Sequence, residues 1–166
     1  MSTTKITKNT NHANMNLTIR EARETDWETL LEFEQGVIEY ERPFNSAIGK
    51  ENVTYYNLQE MLHSENYRLV VAENDNEVIA SGYGKIAEAE PFIKYHKYGY
   101  LGFIYVKPAF RGQGISRLVM DHLALWLKEQ GAEELRLDVY YDNLSAIKAY
   151  HKYGFKESLV KMRMPL

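Results

Sequence analysis

The stretch that most constrains the fold is an apolar segment, a glycine-rich turn and an amphipathic segment in succession. Residues 100–106 read Tyr-Leu-Gly-Phe-Ile-Tyr-Val, residues 111–114 read Arg-Gly-Gln-Gly, and apolar residues recur at helical spacing from Ile115 to about Lys128. This order predicts a strand that leads through a tight turn into a helix. The first N–H groups of a helix have no intrahelical partners and lie at the positive end of its dipole, so the turn predicts an anion site, typically for a phosphate.

The turn does not match the two best-defined nucleotide motifs. A P-loop needs Gly-x-x-x-x-Gly-Lys-Ser/Thr, and the sequence contains no Gly-Lys-Ser/Thr. A dinucleotide fingerprint needs Gly-x-Gly-x-x-Gly, but Arg117 stands where its third glycine would be. The pattern that remains is Arg111-x-x-Gly114-x-Ser116 at the start of a helix. Taken alone, such a pattern is also found in turns with a purely structural role.

Composition bounds the class of protein. With 166 residues, 45% of them hydrophobic and 26% charged, we expect one soluble domain with a single core. The net charge of −3 gives no reason to expect a nucleic acid or an anionic membrane as a partner. The absence of cysteine excludes disulfides, thiolate metal ligands and a cysteine nucleophile. No segment resembles a membrane span or a signal core, so we expect a cytoplasmic protein.

Periodicity along the chain predicts one compact α/β domain. We expect residues 1–15 to form a disordered tail, because they are polar and rich in Asn and Thr, and residues 16–166 to form the domain. The predicted elements are, in order, a strand at 17–22, a helix from Thr25 or Asp26 to Arg42, a helix at 51–64, strands at 67–72 and 77–84, an extended end and a loop at 85–98, the strand at 100–106, the helix at 115–128, a strand at 134–139, a helix at 144–153 and a strand at 155–164.

A second motif follows the turn by about thirty residues. Residues 143–155 read Asn-Leu-Ser-Ala-Ile-Lys-Ala-Tyr-His-Lys-Tyr-Gly-Phe. Together the two motifs resemble the signature blocks of the GNAT (Gcn5-related N-acetyltransferase) superfamily, an Arg/Gln-x-x-Gly-x-Gly/Ala loop and an Asn…Ala-x-x-x-Tyr-x-Lys-x-Gly-Phe segment. The resemblance is close from Gly102 to Phe155. Ser116 departs from the usual Gly or Ala, but its side chain is small and leaves its N–H free.

The resemblance implies a fold and a cofactor. The expected fold class is α/β (α+β), a single domain with a mixed central sheet of about six or seven strands, flanked by about four helices. Two parallel strands, at 100–106 and 134–140, would splay apart to form a cleft for acetyl-CoA. The residues implied in cofactor binding are Ile104, Tyr105 and Val106 along the pantetheine arm, Arg111, Gly112, Gln113, Gly114, Ile115, Ser116 and Arg117 around the pyrophosphate, and Asn143 at the open end of the cleft. A simple helix N-cap explains Asn143 equally well.

Two residues are candidates for proton transfer. The resemblance places Tyr150 near the thioester sulfur, where a phenol can protonate the departing thiolate, although a core aromatic is the alternative reading. Asn143, Ile147 and Tyr150 share one helix face. Some relatives carry the base on the strand before the motif Asn, a position that falls on Asp138. A structural ion pair of Asp138, or a water relay through Tyr100 or Tyr105, is the alternative.

The expected function is an acetyl-CoA-dependent transfer of an acetyl group to a primary amine of a small molecule or peptide. The acceptor site would lie between the first two helices and the 85–98 segment, where Glu34, Glu39 and Glu41 accompany aromatic residues, although solvated helix faces also carry glutamates. The histidines show no ligand spacing, so we expect no metal. A non-catalytic acetyl-CoA-binding regulatory module and a protein N-acetyltransferase are the alternatives. Many relatives form dimers, so a homodimer is a further expectation.

Overall fold

The computed structural model describes residues 3–10, 13–164 and 166. Within them it contains six strands and four α-helices. Their bounds are β1 Thr4–Thr10, β2 Ala13–Glu21, α1 Trp27–Glu41, α2 Leu58–His63, β3 Tyr67–Asn74, β4 Glu77–Glu88, β5 Lys97–Val106, α3 Ile115–Glu129, β6 Glu134–Arg136 and α4 Leu144–Tyr153. No helix in this part of the chain is long and apolar enough to cross a membrane.

The strands form a single mixed sheet in the order β1-β2-β3-β4-β5-β6. Neighbours from β1 to β5 pair antiparallel, whereas β5 and β6 run parallel. The parallel ladder is short, because it joins only residues 98–100 to residues 134–136. Beyond Tyr100 and Arg136 the two strands separate and leave an opening in the sheet. The predicted fold class, with its mixed sheet, four helices and splayed parallel pair, is confirmed.

Hydrophobic side chains cover both faces of the sheet. On one face α3 packs on the sheet through Val119, Leu123 and Leu127, all of them fully buried. On the other face α1 and α2 contribute a second cluster, which includes Phe33 and Leu58. Each helix carries its apolar residues on one side, so the sheet becomes the middle layer of a helix–sheet–helix arrangement.

The N-terminal residues differ from the predicted disordered tail. Residues 4–10 form β1, which pairs antiparallel with β2, and β2 itself begins at Ala13. An edge strand gains backbone hydrogen bonds without a full set of buried side chains, so polar Thr-rich sequence can still join a sheet. The rest of the predicted tail, at positions 1, 2, 11 and 12, lies outside the described residues.

The second helix is shorter than predicted. It begins at Leu58 rather than near Glu51, because the side chain of Asn57 accepts a hydrogen bond from the N–H of Glu60 and caps the helix there. The preceding residues are held outside a helix by Glu34, whose carboxylate accepts hydrogen bonds from the backbone N–H groups of Tyr55 and Tyr56 at 2.6 and 2.8 Å. A contact between two distant segments therefore overrides the local helical pattern.

The C-terminal part of the chain also differs from prediction. A strand was expected at 155–164, but the structure contains none there, and residues 156–164 are all exposed. Likewise β6 ends at Arg136 rather than near Val139. Both segments have the alternating pattern of strands, but a strand also needs a partner edge, and these two do not pair with each other in the described chain.

Candidate active site

The glycine-rich turn leaves donor groups at the start of α3. Gly112 and Gly114 have φ of 75° and 76°, the left-handed region that glycine adopts without strain. A Cβ atom added to Gly112 would meet nothing within 4 Å, so its surface is open to a ligand. The N–H groups of Ile115, Ser116 and Arg117 occupy the first turn of α3 and have no intrahelical acceptor. This arrangement suits the anion that the sequence predicted.

Arg111 lies beside this turn but points toward aromatic residues. Its Nε donates to the carbonyl of Val106 at 2.9 Å, and its guanidinium lies 5.3 Å from the centre of the Tyr40 ring and 5.8 Å from that of Tyr105. Arg117 instead lies over the ring of Tyr153 at 5.4 Å. The two arginines thus flank the N-terminus of α3 from opposite sides.

A bulge shapes β5 next to the opening in the sheet. The pairing of β4 with β5 shifts register between Ser81 and Tyr83, and Phe103 opposite this shift has a φ of 53°. The buried hydroxyl of Ser81 donates to the carbonyl of Phe103 at 3.1 Å and holds the bulge. After it, Ile104 and Val106 pack toward α3, whereas Tyr105 packs toward α1. The backbone of residues 104–106 therefore lies along the opening, where the sequence predicted it.

Asn143 caps α4 at the other side of the opening. Its side chain is only 6% exposed, and its Oδ1 accepts from the N–H of Ala146 at 3.3 Å and from the Ser145 hydroxyl at 3.1 Å. Ser145 shares a further hydrogen bond of 2.9 Å with the Tyr40 hydroxyl. The helix N-cap interpretation is therefore confirmed. The same contacts tie the start of α4 to α1 across the opening.

Tyr150 lies further along α4, partly buried and packed edge-on against Phe155 at 6.1 Å between ring centres. Burial raises the pKa of its hydroxyl, and the negative charge of Glu41 raises it further. The hydroxyl therefore stays protonated well into the alkaline range and can act as a proton donor at neutral pH.

The three glutamates of α1 that the sequence singled out, Glu34, Glu39 and Glu41, have three different environments. Glu34 is 1% exposed, and its hydrogen bonds to the 55–56 backbone give it a structural role. Glu39 lies on the surface and accepts from Arg42 at 2.7 Å. Glu41 is partly buried, and burial raises the pKa of its carboxyl, an effect that the Tyr55 hydroxyl partly offsets. Only Glu41 of the three presents a carboxylate toward Tyr150.

Tyr55 lies beside Glu41, and Tyr140 lies beside Tyr55; Tyr140 was missed from the sequence. The Tyr55 hydroxyl is buried beside Tyr140 and Glu41, and its pKa is raised first by burial and then by these two neighbours. Tyr140 stacks on Phe44 and accepts a hydrogen bond from Asn45 at 2.9 Å. Its position just after a parallel strand, where ligand sites form, is the signal that could have identified it.

Asp138 lies across the opening from β5. It is exposed and lies beside Tyr100, whose pKa is raised first by burial and then by the charge of Asp138. Asp138 lies in the chain just after β6, and Glu41 is the last residue of α1. The described residues contain no group of three or more His, Asp or Glu that could hold a metal ion.

Comparison with known proteins identifies the family of this chain. Residues 27–155 match the model described as the Acetyltransferase (GNAT) family. The chain belongs to this family. It is 25% identical over 113 residues to an aminoglycoside N(6')-acetyltransferase type 1 from Stenotrophomonas maltophilia, a match that covers 65% of this chain and 72% of that protein. It is 46% identical over 52 residues to streptothricin acetyltransferase from Streptomyces lavendulae, but this match covers only 31% of the chain and 28% of that protein.

Solved structures of this GNAT chain's relatives have the same fold. A mutant of the BH1408 protein from Bacillus halodurans superposes with a TM-score of 0.81 at 25% identity, covering 89% of this chain and 98% of that one. A predicted acetyltransferase from Clostridium acetobutylicum, solved with acetyl-CoA, superposes with a TM-score of 0.71 at 20% identity, covering 90% and 96%. The second likeness supports the fold alone.

Proposed function

We propose that this GNAT protein is an acetyl-CoA-dependent N-acetyltransferase that acts on a cationic primary amine. The observation that carries the proposal is that Glu41 lies near enough to Tyr150 for its negative charge to act on the Tyr150 hydroxyl. The charge of Glu41 acts on Tyr150, and the pKa of both groups is raised. A proton donor and a carboxylate that face one site are what amide formation from an ammonium ion requires.

The residues at the opening fit acetyl-CoA. The N–H groups of the Gly112–Arg117 turn suit a pyrophosphate, because they combine left-handed glycines with the start of α3. The backbone of Ile104, Tyr105 and Val106 borders the widening gap in the sheet and suits the amides of a pantetheine arm. The family resemblance also places Asn143, the N-cap of α4, beside the cofactor. Acetyl-CoA, when bound, supplies the acetyl thioester.

The side chains around the opening account for the protons. An ammonium group binds at Glu41 and the surrounding rings of Tyr55 and Tyr140, and it loses a proton to Glu41, to Asp138 or to a water that either one orders. The neutral nitrogen then forms a bond to the acetyl carbon, the carbon–sulfur bond breaks, and Tyr150 gives its proton to the departing thiolate. The nitrogen loses a second proton as the amide forms, and that proton replaces the one that Tyr150 donated. The first proton, taken by the carboxylate or the water, is released to solvent, so the proton balance closes.

A thiol-release assay with a panel of amines tests the proposal. The panel includes aminoglycosides, which the name of one relative indicates, linear polyamines and peptides with a free N-terminus. The peptides represent the alternative that the protein acetylates other proteins. A segment of 58 residues is 34% identical to the Escherichia coli ribosomal protein bS18-alanine N-acetyltransferase, which motivates this alternative. We expect release of free coenzyme A with at least one cationic amine. If acetyl-CoA raises the melting temperature but no amine releases thiol, the non-catalytic binding module is the better account.

A further inference from the structure

Tyr40, near the end of α1, contacts groups on both sides of the opening between β5 and β6. On the β5 side, the guanidinium of Arg111 lies 5.3 Å from the centre of the Tyr40 ring, and Arg111 Nε donates to the Val106 carbonyl at 2.9 Å. On the other side, the Tyr40 and Ser145 hydroxyls share a hydrogen bond of 2.9 Å, and Ser145 also donates to Asn143, the N-cap of α4, at 3.1 Å. A continuous line of side chains (Arg111, Tyr40 and Ser145), which we term the Tyr40 bridge, therefore joins the end of β5 to the start of α4.

The register of the strands shows where this bridge crosses the gap. β5 and β6 pair with Tyr98 opposite Glu134, and their ladder ends at Tyr100 and Arg136. Continued at the same register, Val106 lies level with residue 142, which immediately precedes the N-cap of α4. The Tyr40 bridge therefore crosses the end of the gap that the ladder leaves open.

An aromatic contact runs beside the Tyr40 bridge. The ring of Phe44 packs edge-on against that of Tyr40, at 5.9 Å between ring centres, and stacks on Tyr140 at 6.5 Å. Tyr140 belongs to the chain between β6 and α4. The end of α1 and the residues that follow it thus hold the far side of the gap at two points.

The Tyr40 bridge lies at the surface, where its contacts can break without exposing the core. Tyr40 is 43% exposed, and Arg111 and Ser145 are exposed as well. None of the residues of α4 is fully buried, and Tyr150 and Tyr153, which pack against the core, belong to its last turn. The start of α4 can therefore move away from α1 while its packed end stays in place.

The proposed path of the pantetheine arm runs through the same gap, along the backbone of residues 104–106. At the level where the Tyr40 bridge crosses, Arg111 already occupies the carbonyl of Val106. An arm in the gap is enclosed by β5, by the chain before α4 and, at the open end, by the bridge. Coenzyme A can enter or leave across this end only when the bridge parts.

We propose that Tyr40 is a positioning residue that acts through Ser145 and Arg111 to hold the gap closed, and that the Tyr40 bridge opens each time coenzyme A enters or leaves. The inference rests on the proposed acetyl-CoA site. The contacts of the bridge join protein groups to one another, so its closed form obstructs entry and exit alike. Loss of one contact therefore raises the association and dissociation rate constants by the same factor and leaves their ratio, the Kd, unchanged.

Stopped-flow measurements with a coenzyme A derivative that is fluorescently labelled on its ribose test the proposal. We expect Tyr40→Phe and Ser145→Ala each to raise both rate constants by about 3-fold to 10-fold, the factor that one net hydrogen bond carries. The double variant should show no further increase, because both changes remove the same bond. Ser145→Thr, which keeps a hydroxyl, should exchange coenzyme A like the unmodified chain. Tyr141→Phe, at an exposed tyrosine, is the matched control.

Three results contradict the proposal. Unchanged rate constants in Tyr40→Phe overturn it. A rise in the dissociation rate constant alone, with the Kd rising by the same factor, makes Tyr40 a direct contact of the cofactor and overturns it as well. A chain that binds no coenzyme A overturns both this proposal and the proposed function, whereas a chain that exchanges coenzyme A as expected but acetylates no amine contradicts the proposed function alone.

The cysteine-free sequence permits a covalent test of the same closure. In the double variant Tyr40→Cys/Ser145→Cys, a bifunctional maleimide with an internal disulfide joins the two thiols across the gap. Acetyl-CoA is the probe, since its sulfur is acylated and does not react with the reagent. We expect acetyl-CoA to be excluded when the link is made first, to be retained through gel filtration when the link is made second, and to exchange again once a phosphine cleaves the link. Exchange through an intact link as fast as in the unlinked protein overturns the proposal.

Discussion

Glu34 and Glu41 lie seven residues apart on the same face of α1, but they differ in role. The environment of Glu34 gives it a structural role, whereas that of Glu41 leaves its carboxylate available to a ligand. Glu34 is buried, and its carboxylate accepts hydrogen bonds from two backbone N–H groups. The protein itself therefore satisfies the polar demand of this side chain. Glu41 is the last residue of α1, just before Pro43, and among the described residues the side-chain hydrogen-bond partner of its carboxylate is the hydroxyl of Tyr55. A partly buried carboxylate that lacks a cationic partner within the protein can be neutralised by a cationic ligand.

Replacement of Tyr150 by Phe removes the proposed proton donor while it keeps the ring. We expect kcat to fall by about 10²-fold or more, since general acid catalysis contributes about that much, with little change in the KM for acetyl-CoA. Because the pKa of Tyr150 lies above its usual value of 10, unmodified enzyme should lose no activity to deprotonation of this group between neutral pH and pH 9. Steady-state kinetics across that range checks both expectations.

The matched control is Tyr141→Phe, which removes a hydroxyl from a tyrosine that is 82% exposed near the same opening. It should retain full kcat. Equal activity of Tyr150→Phe and Tyr141→Phe would remove Tyr150 from the reaction and leave it as a packing residue.

Replacement of Glu41 by Gln tests amine recognition. Loss of the charge should lower kcat/KM for the amine by about 10-fold to 10²-fold, mainly through KM if Glu41 only binds the ammonium and through kcat if it also takes the proton. Glu32→Gln, on the exposed face of the same helix, is the control. Should Asp138→Asn reduce kcat while Glu41→Gln does not, the base would be Asp138.

At this scale the sequence predicted the motif residues but not their partners. Asn143 and Tyr150 follow from short, local patterns. The groups that alter the site, Glu41 near Tyr150 and Tyr140 beside Tyr55, come from α1 and from the chain beyond β6, and only the folded sheet brings them together. No local pattern could single out Glu41 from the other acids of its helix.

The turns before and after α3 each contain a glycine in the left-handed region, so the effect of replacing these two glycines can be compared. Gly112 before the helix and Gly131 after it have positive φ of 75° and 90°, so Ala at either position costs about 1 kcal/mol through backbone strain. At Gly112 the added methyl group projects into open space beside the α3 N-terminus, where the pyrophosphate is proposed to bind.

Gly112→Ala should therefore raise the Kd for coenzyme A by about 10-fold or more, whereas Gly131→Ala should leave this Kd unchanged. Both variants should lose a similar amount of stability. Calorimetric titration with coenzyme A, together with urea denaturation of both variants, makes the comparison. If both variants bind coenzyme A like the unmodified chain, the turn is not the pyrophosphate site.

Elements with strong local signals were predicted well, and those that depend on distant contacts were not. The helix at 144–153 matches the prediction residue for residue, because Asn143 and Gly154 mark its two ends. The helix predicted at 51–64 lost its first half to the contact with Glu34. The strand predicted at 155–164 has the right alternation but no partner in the described chain, since a strand depends on an edge elsewhere.

Across the whole molecule, the buried carboxylate of Asp26 and the partly buried carboxylate of Glu41 act on stability in opposite directions. Arg20 on β2 donates to both carboxylate oxygens of Asp26 at 2.7 and 2.9 Å and also binds Glu73 on β3. Burial alone would raise the pKa of Asp26, but these hydrogen bonds and that from the Arg23 N–H outweigh it, and the pKa is lowered. Among the residues that the structure describes, Glu41 has no cationic partner of this kind, and its pKa is raised by burial.

The signs of the two shifts predict how stability depends on pH. Asp26 binds its proton less readily in the folded state, so its contribution is present above the unfolded pKa near 3.8 and is lost as the pH falls through the lower folded value. Glu41 binds its proton more readily when folded, so the chain loses stability as the pH rises from the unfolded value near 4.5 through the higher folded one.

We therefore expect Glu41→Gln to be more stable than the unmodified chain at pH 7 and nearly equal to it at pH 4. Asp26→Asn should be less stable at pH 7 by about 3 kcal/mol, because it leaves Arg20 buried without its main partner. Urea denaturation of the three proteins at the two pH values measures both differences, and a Glu41→Gln variant that is less stable at pH 7 would show that the Glu41 charge serves the fold rather than a ligand.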